Sequence, residues 1–214
     1  MRWLQSKKVG FIGAGNMAQA IISALLSSET LKPEQILVTN RSSNKRHKLA
    51  EKFGIVPVEN AEDVVDQCDV VILAMKPQDL FGAIEPIAMS FEKHHLVASL
   101  AAGITLNQLK SLMNQVTAFA RIMPNTPVKI NKGVVGICRT EEAGAYENLL
   151  EELFSPLGYL VPVEEGDGFQ ALTVACGSGT GFVFELMQYW QDWIEDYDFD
   201  PEVAREMTVQ TFLG

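Results

Sequence analysis

The sequence predicts an α/β fold, a doubly wound parallel sheet followed by a C-terminal all-helical segment. Short β-branched runs alternate with longer helix-like stretches over the N-terminal two-thirds of the chain, the alternation that builds parallel sheets with helices on both faces. Val70-Val71-Ile72-Leu73 is apolar at every position, as a strand covered on both faces must be. Beyond about Pro162 the pattern changes, and from Gly177 on no run resembles a strand.

In chain order, Val9 to Ile12 reads as a strand and Met17 to Leu26 as a helix. Gln35 to Thr39 is a second strand, followed by a helix over Ser43 to Phe53 that Gly54 closes. Ile55 to Val58 is a short strand, Ala61 to Gln67 a helix, and Val70 to Ala74 the apolar strand. Leu80 to Met89 is expected to be helical and His95 to Leu100 extended. Gly181 to Tyr197 reads as one helix because Phe182, Leu186, Tyr189, Trp190 and Trp193 recur at three- and four-residue spacing. Asp200-Pro201 then supplies an N-cap and a first-turn residue for a last helix through Phe212. The expected division is residues 1–162 for the sheet domain and 163–214 for the helical segment. The broad apolar faces of the last two helices need cover, either from the sheet domain or from a second subunit.

Composition narrows the function. Lys and Arg number 17 against 27 Asp and Glu, a net charge of -10, so no basic stripe is available for nucleic acid. Cys68, Cys138 and Cys176 are scattered, odd in number and without metal-ligand spacing, which fits three separate thiols in a reducing compartment and no metal site. Met1 to Lys8 lacks the apolar core of a signal peptide, and the longest apolar stretch, roughly Leu96 to Leu106, is too short to span a bilayer. The expectation is a soluble cytoplasmic protein without a membrane partner.

Gly13-Ala14-Gly15-Asn16-Met17-Ala18 follows the first strand directly and opens the first helix. This is Gly-x-Gly-x-x-Ala in the strand-to-helix setting of the dinucleotide fingerprint, which makes the sheet Rossmann-type. Gly13 permits the tight turn, Gly15 admits a pyrophosphate against the backbone, and Ala18 keeps helix and strand close. The free N–H groups of the helix start then face the phosphates. Versions that take NAD carry Asp or Glu at the end of the second strand. Here that position reads Thr39-Asn40-Arg41-Ser42, and Arg41 with Asn40 and Ser42 suits a 2′-phosphate, so NADP(H) is preferred over NAD(H). A merely solvated Arg41 is the alternative.

Three further segments are expected to converge on the cofactor from strand ends. They are Ala74-Met75-Lys76-Pro77-Gln78, Ser99-Leu100-Ala101-Ala102-Gly103 and Arg121-Ile122-Met123-Pro124-Asn125-Thr126-Pro127. Asn125 and Thr126, held between two prolines, are candidate polar contacts. His47, His94 and His95 fall in none of these motifs and are expected on the surface.

Taken in order, these motifs resemble the pyrroline-5-carboxylate reductase family, as does Leu172-Thr173-Val174-Ala175-Cys176-Gly177-Ser178-Gly179. The resemblance runs over nearly the whole chain. It implies reduction of 1-pyrroline-5-carboxylate, a cyclic imino acid, to L-proline with NADPH or NADH, and a homodimer or higher homo-oligomer built by the C-terminal helices. It places Gly13 to Ala18 and Arg41 at the phosphates, Asn60 near the adenosine, and Ala74, Lys76, Pro77, Ala101 and Ala102 at the nicotinamide. Ser178 would start the helix that faces the substrate, where a helix N-terminus suits a carboxylate. No obligatory acid or base is implied, because the protonated imine is already electrophilic; Asn125, Thr126 and Ser178 are substrate-positioning candidates.

Three departures stand against the resemblance. Thr180-Gly181 replaces the family's Pro-Ala, Gln170 replaces an acid, and nothing matches the family's Gly-Gly-Thr-Thr loop. Two expectations follow: a piece of a longer protein, favoured by the ending in an apolar helix, or a naturally short paralogue. The paralogue could retain NADP while losing catalysis, or act as a related reductase on another imine or a deazaflavin.

Overall fold

The computed structural model describes residues 3–214. Eight strands form one sheet in the order β3-β2-β1-β4-β5-β6-β7-β8. The first half alternates as expected: β1 (Val9–Ile12), α1 (Asn16–Ser27), β2 (Ile36–Thr39), α2 (Ser43–Phe53), β3 (Val56–Pro57), α3 (Ala61–Gln67), β4 (Val70–Leu73), α4 (Pro77–Ile84) and β5 (Leu96–Ser99). α4 is shorter than the sequence suggested and passes into a 3-10 turn over Glu85–Ser90, where Pro86 removes a backbone donor. α5 (Leu106–Leu112), β6 (Ala118–Pro124), β7 (Gly133–Arg139), α6 (Glu147–Phe154) and β8 (Gly158–Pro162) complete the sheet region.

The sheet is mostly parallel, as expected, with one antiparallel pairing, that of β6 and β7, which sets Met123 opposite Gly136 and Arg121 opposite Cys138. One expectation needs correction here: Arg121 to Pro124 are not loop residues but belong to β6 itself, and only from Asn125 does the chain leave the sheet. The Asn125–Asn131 turn reverses the chain within a few residues, and Asn131 takes the left-handed conformation that ends it.

The alternation of side chains along each strand divides the core between the two faces. Phe11, Ile72 and Ala98 point to the face covered by Ile21, Ile22 and Leu25 of α1 and by Leu149, Leu150 and Leu153 of α6. Their neighbours Ile12, Leu73 and Val97 point to the opposite face, with Val64 of α3, Leu80 of α4 and Leu109 of α5. This two-sided burial explains why β1, β2, β4 and β5 are buried at every position.

His95 corrects the expectation of a surface residue, being only 2% exposed. Its Nδ1 lies 2.8 Å from the Glu92 N–H and 3.2 Å from the Glu92 carbonyl, and its Nε2 lies 3.0 Å from the Val65 carbonyl, so both ring nitrogens have backbone partners. His47 and His94 are exposed.

After β8 the chain becomes helical without a break. α7 (Asp167–Leu172) continues through a π-helical turn, Thr173–Ser178, into α8 (Gly179–Glu195), and α9 (Pro201–Leu213) folds back on α8. Asp200 caps α9 by accepting the Glu202 N–H at 2.9 Å. α8 and α9 bury little against each other, chiefly Ile194, Ala204 and Thr208. Phe182, Leu186, Tyr189, Trp193 and Leu213 remain more than half exposed. The sheet domain does not cover them. Among the described residues, no helix is long and apolar enough to cross a membrane.

Candidate dinucleotide and substrate site

The ends of β1, β2 and β4 meet at the glycine turn. Gly13 donates its N–H to the Thr39 carbonyl at 2.9 Å, and its φ of 115° lies where only glycine is relaxed. A Cβ there would also meet the Ala74 carbonyl oxygen at 2.6 Å. Gly15 is different. It sits at φ -74° and ψ 178° as the N-cap of α1, and a Cβ there would find only Ala74 O at 3.9 Å. Internal packing therefore does not require a glycine at 15, and the space it leaves faces outward. No side chain caps α1 and no acid occupies its first turn, so the helix start presents N–H groups to a phosphate. The loop thus fits a pyrophosphate. Ala18 is fully buried against β1 and Met17 partly so, while Asn16 is exposed.

Asn40 has a role the sequence did not disclose. Its Oδ1 accepts the Ala14 N–H at 3.2 Å and its Nδ2 donates to the Ser42 carbonyl at 3.3 Å. Asn40 thereby pins the glycine loop to the end of β2, with both ends of its amide already occupied. Beside it opens a cavity of about 760 Å³ whose lining includes Gly13, Asn40, Arg41, Arg46, Glu59 and Asn60. Arg41 is exposed, and its guanidinium has no hydrogen-bond or ion-pair partner among the described residues. Asn60 caps α3: its Oδ1 accepts the Asp63 N–H at 2.8 Å. Ser42 is exposed but does not line this cavity; Ser43 does. A cavity of similar size, 790 Å³, lies away from these motifs, between β7, β8 and α6.

The nicotinamide-side candidates lie at the ends of β4 and β5. Ala74 touches the glycine turn through its carbonyl, Lys76 is the N-cap of α4, and Pro77 is the first residue of that helix. Ala101 is buried and donates its N–H to Ser99 Oγ at 3.2 Å, whereas Ala102 is exposed.

Asn125 brings two distant motifs together. Its Oδ1 accepts the Val134 N–H at 2.8 Å and its Nδ2 donates to the Cys176 carbonyl at 3.2 Å. Thr180 Oγ1 donates to the same carbonyl at 2.8 Å. A proline at 180 would lack the N–H that bonds a carbonyl four residues back; the Thr180 hydroxyl supplies a bond to that very oxygen. Ser178 is exposed, but it does not begin a helix. It closes the π-helical turn inside a continuous helical run from Asp167 to Glu195, so the expected free helix N-terminus is absent there. Thr126 opens the turn after β6 and is exposed.

Sequence reading missed an ion pair that is buried on its arginine side and partly exposed on its glutamate side. Arg121 Nη1 reaches Glu165 Oε1 at 2.7 Å, and the same oxygen accepts the Leu106 N–H at 2.8 Å. The Arg121 guanidinium lies over the Phe169 ring, 4.3 Å from its centroid. β6, α5 and α7 are thus tied at one point. An arginine within an otherwise apolar strand was the available signal.

Burial raises the Cys68 thiol to about 12 and the Cys138 thiol to about 11, the latter partly offset by Arg121. Both departures favour the protonated thiol in the folded state. Their contribution to stability is complete below the ordinary thiol value of 9.0 and is lost as pH rises from there towards about 12. A thiol-disulfide reagent at pH 8 is expected to label Cys176 alone in the native protein and all three cysteines in denaturant, as counted by mass spectrometry. Native labelling of Cys68 would contradict its burial.

Comparison with known proteins agrees with this arrangement. Residues 8–103 match the family model described as NADP oxidoreductase coenzyme F420-dependent, and residues 167–214 match that for pyrroline-5-carboxylate reductase dimerisation. The chain is 33% identical over 97% of its length to pyrroline-5-carboxylate reductase 2 of Bacillus subtilis, covering 75% of that protein. It is 34% identical over 98% of its length to the pyrroline-5-carboxylate reductase of Arabidopsis thaliana, covering 76% of it. The solved structure of the Coxiella burnetii pyrroline-5-carboxylate reductase superposes with a TM-score of 0.88 at 31% identity, over 98% of this chain and 78% of that one. With its glycine turn, its Asn125 bridge and these relatives, the chain belongs to the pyrroline-5-carboxylate reductase family.

Proposed function

We propose that this protein reduces 1-pyrroline-5-carboxylate to proline, with NADPH preferred as the reductant. The observation that carries the reading is the Asn125–Cys176 hydrogen bond, which joins the Met-Pro-Asn-Thr-Pro segment to the turn bearing Ser178 across 51 residues of chain. Two segments that the family resemblance assigns to the substrate side thus meet near the strand ends from which the glycine turn also springs.

When bound, the dinucleotide would supply the hydride that the imine carbon needs, the ring nitrogen keeping the proton it acquired as an iminium. The chain's own residues bind and orient. The Gly13–Ala18 turn receives the pyrophosphate, Asn40 holds that turn in place, and Arg41 pairs with the 2′-phosphate. Asn125 fixes the height of the π-helical turn above the sheet, and Ser178 and Thr126 offer hydroxyls toward the substrate. With a cationic electrophile, positioning and exclusion of water supply most of what catalysis requires. The division near Pro162 separates the cofactor-binding sheet from the helices, and the exposed aromatic faces of α8 and α9 form the contact between two copies of the chain.

The test is consumption of NADPH on addition of 1-pyrroline-5-carboxylate, with proline identified as product. No turnover with NADPH still bound would reassign the chain as a dinucleotide-binding paralogue. Arg41→Asp is expected to weaken NADPH binding by about tenfold or more. Unchanged affinity would remove Arg41 from the phosphate site.

A further inference from the structure

The cavity that carries Arg41 also carries a carboxylate. Glu59 lies just past β3, and the sheet order sets the end of β3 beside the end of β2. Arg46 Nη2 donates to Glu59 Oε1 at 2.9 Å, and Arg46 Nη1 donates to the Glu59 carbonyl at 2.8 Å. Thr39 Oγ1 reaches the same carbonyl at 3.4 Å. The pair is asymmetric: the Arg46 side chain is 4% exposed and that of Glu59 81%. Both line the cavity, the cation buried in its wall and the anion exposed to it. Arg46 directs both terminal nitrogens at its neighbours, Glu59 and Ser43, while its buried Nε has no partner among the described residues. Glu59 Oε2 has no hydrogen-bond partner among the described residues.

Dinucleotide folds that take NAD use an acid near this place to accept the ribose hydroxyls, normally from the end of β2. Here the end of β2 offers Arg41, and the acid comes from the adjacent strand. We propose that Glu59, held by Arg46, is a specificity-determining residue: its carboxylate accepts the adenosine ribose 2′-hydroxyl of NADH, while Arg41 receives the 2′-phosphate of NADPH. The inference rests on reading the 760 Å³ cavity as the adenosine half of the dinucleotide site. Because Arg46 balances the charge of Glu59, a 2′-phosphate meets an ion pair rather than a bare carboxylate. One cavity thereby admits both cofactors, and Glu59 and Arg41 set the ratio between them.

Direct titration of NADH and NADPH, read by quenching of protein fluorescence or by calorimetry, tests this without turnover. Glu59→Gln preserves an acceptor for Arg46, so the fold is retained while the charge is lost. The Kd for NADH is expected to rise roughly fivefold, and that for NADPH to stay level or fall. Arg41→Ala, at an exposed position with no internal partner, is expected to weaken NADPH and leave NADH nearly unchanged. Equal changes for both cofactors in either variant, or none in Glu59→Gln, overturn the proposal. A wild-type protein that binds neither nucleotide overturns instead the assignment of the cavity.

Discussion

Gly15→Ala is expected to leave the protein folded and to remove most of its affinity for NADPH. The backbone at Gly15 lies at φ -74°, where alanine is at ease, and the added methyl would come no nearer than 3.9 Å to protein. An alanine N-cap costs α1 about 1 kcal/mol, a few degrees in Tm for a chain of this size. The methyl would occupy the approach of the pyrophosphate to the helix N-terminus, so Kd for NADPH is expected to rise about 100-fold. Gly13→Ala is the contrast. Its positive φ and the Ala74 carbonyl at 2.6 Å force the turn itself to move, and both stability and binding should fall. Thermal unfolding and nucleotide titration of the two variants separate the roles. Wild-type affinity in Gly15→Ala would mean that no phosphate lies against this turn.

Glu165→Ala is expected to be the most destabilising of the single substitutions considered. It leaves the Arg121 guanidinium, whose side chain is 9% exposed, without its counter-charge, and strips the Leu106 N–H of its acceptor. Breaking a buried pair from one side costs about 3–5 kcal/mol. Glu165 is partly exposed, so the lower figure applies. The expected fall in Tm is about 6–12 °C. Arg121→Met, which removes the buried charge while keeping an apolar side chain against Phe169, should recover much of the loss when combined with Glu165→Ala. A double variant no more stable than Glu165→Ala would show that the pair itself contributes little.

The strands legible in the sequence are those buried on both faces. Val70–Leu73 and Val9–Ile12 announce themselves because sheet burial demands apolar residues at every position and the glycine turn marks where one of them ends. β6 hides behind Arg121 and its terminal proline, β7 carries Gly133 and Gly136, and β8 is a partly exposed edge. None gives the hydropathy signal of a central strand. The buried polar residues were hidden for a related reason. The partners of Arg46, His95 and Arg121 lie 13, 30 and 44 residues away in sequence, so a polar side chain reads as surface until the fold supplies its partner. At the site, the glycine turn and Arg41 were visible as local motifs, whereas the engaged amides of Asn40 and Asn125 were not.

The π-helical turn at Thr173–Ser178 acts as a rotary joint. Each residue added to or removed from an α-helix turns everything beyond it by about 100°, and π-turns accommodate one extra residue within an otherwise continuous helix. The direction in which α8 and α9 point their aromatic faces is therefore set at this turn, which Asn125 fastens to the sheet. Deleting a single residue between Thr173 and Ser178 would keep both helices intact, yet swing the aromatic face round by more than a quarter of a revolution relative to the sheet.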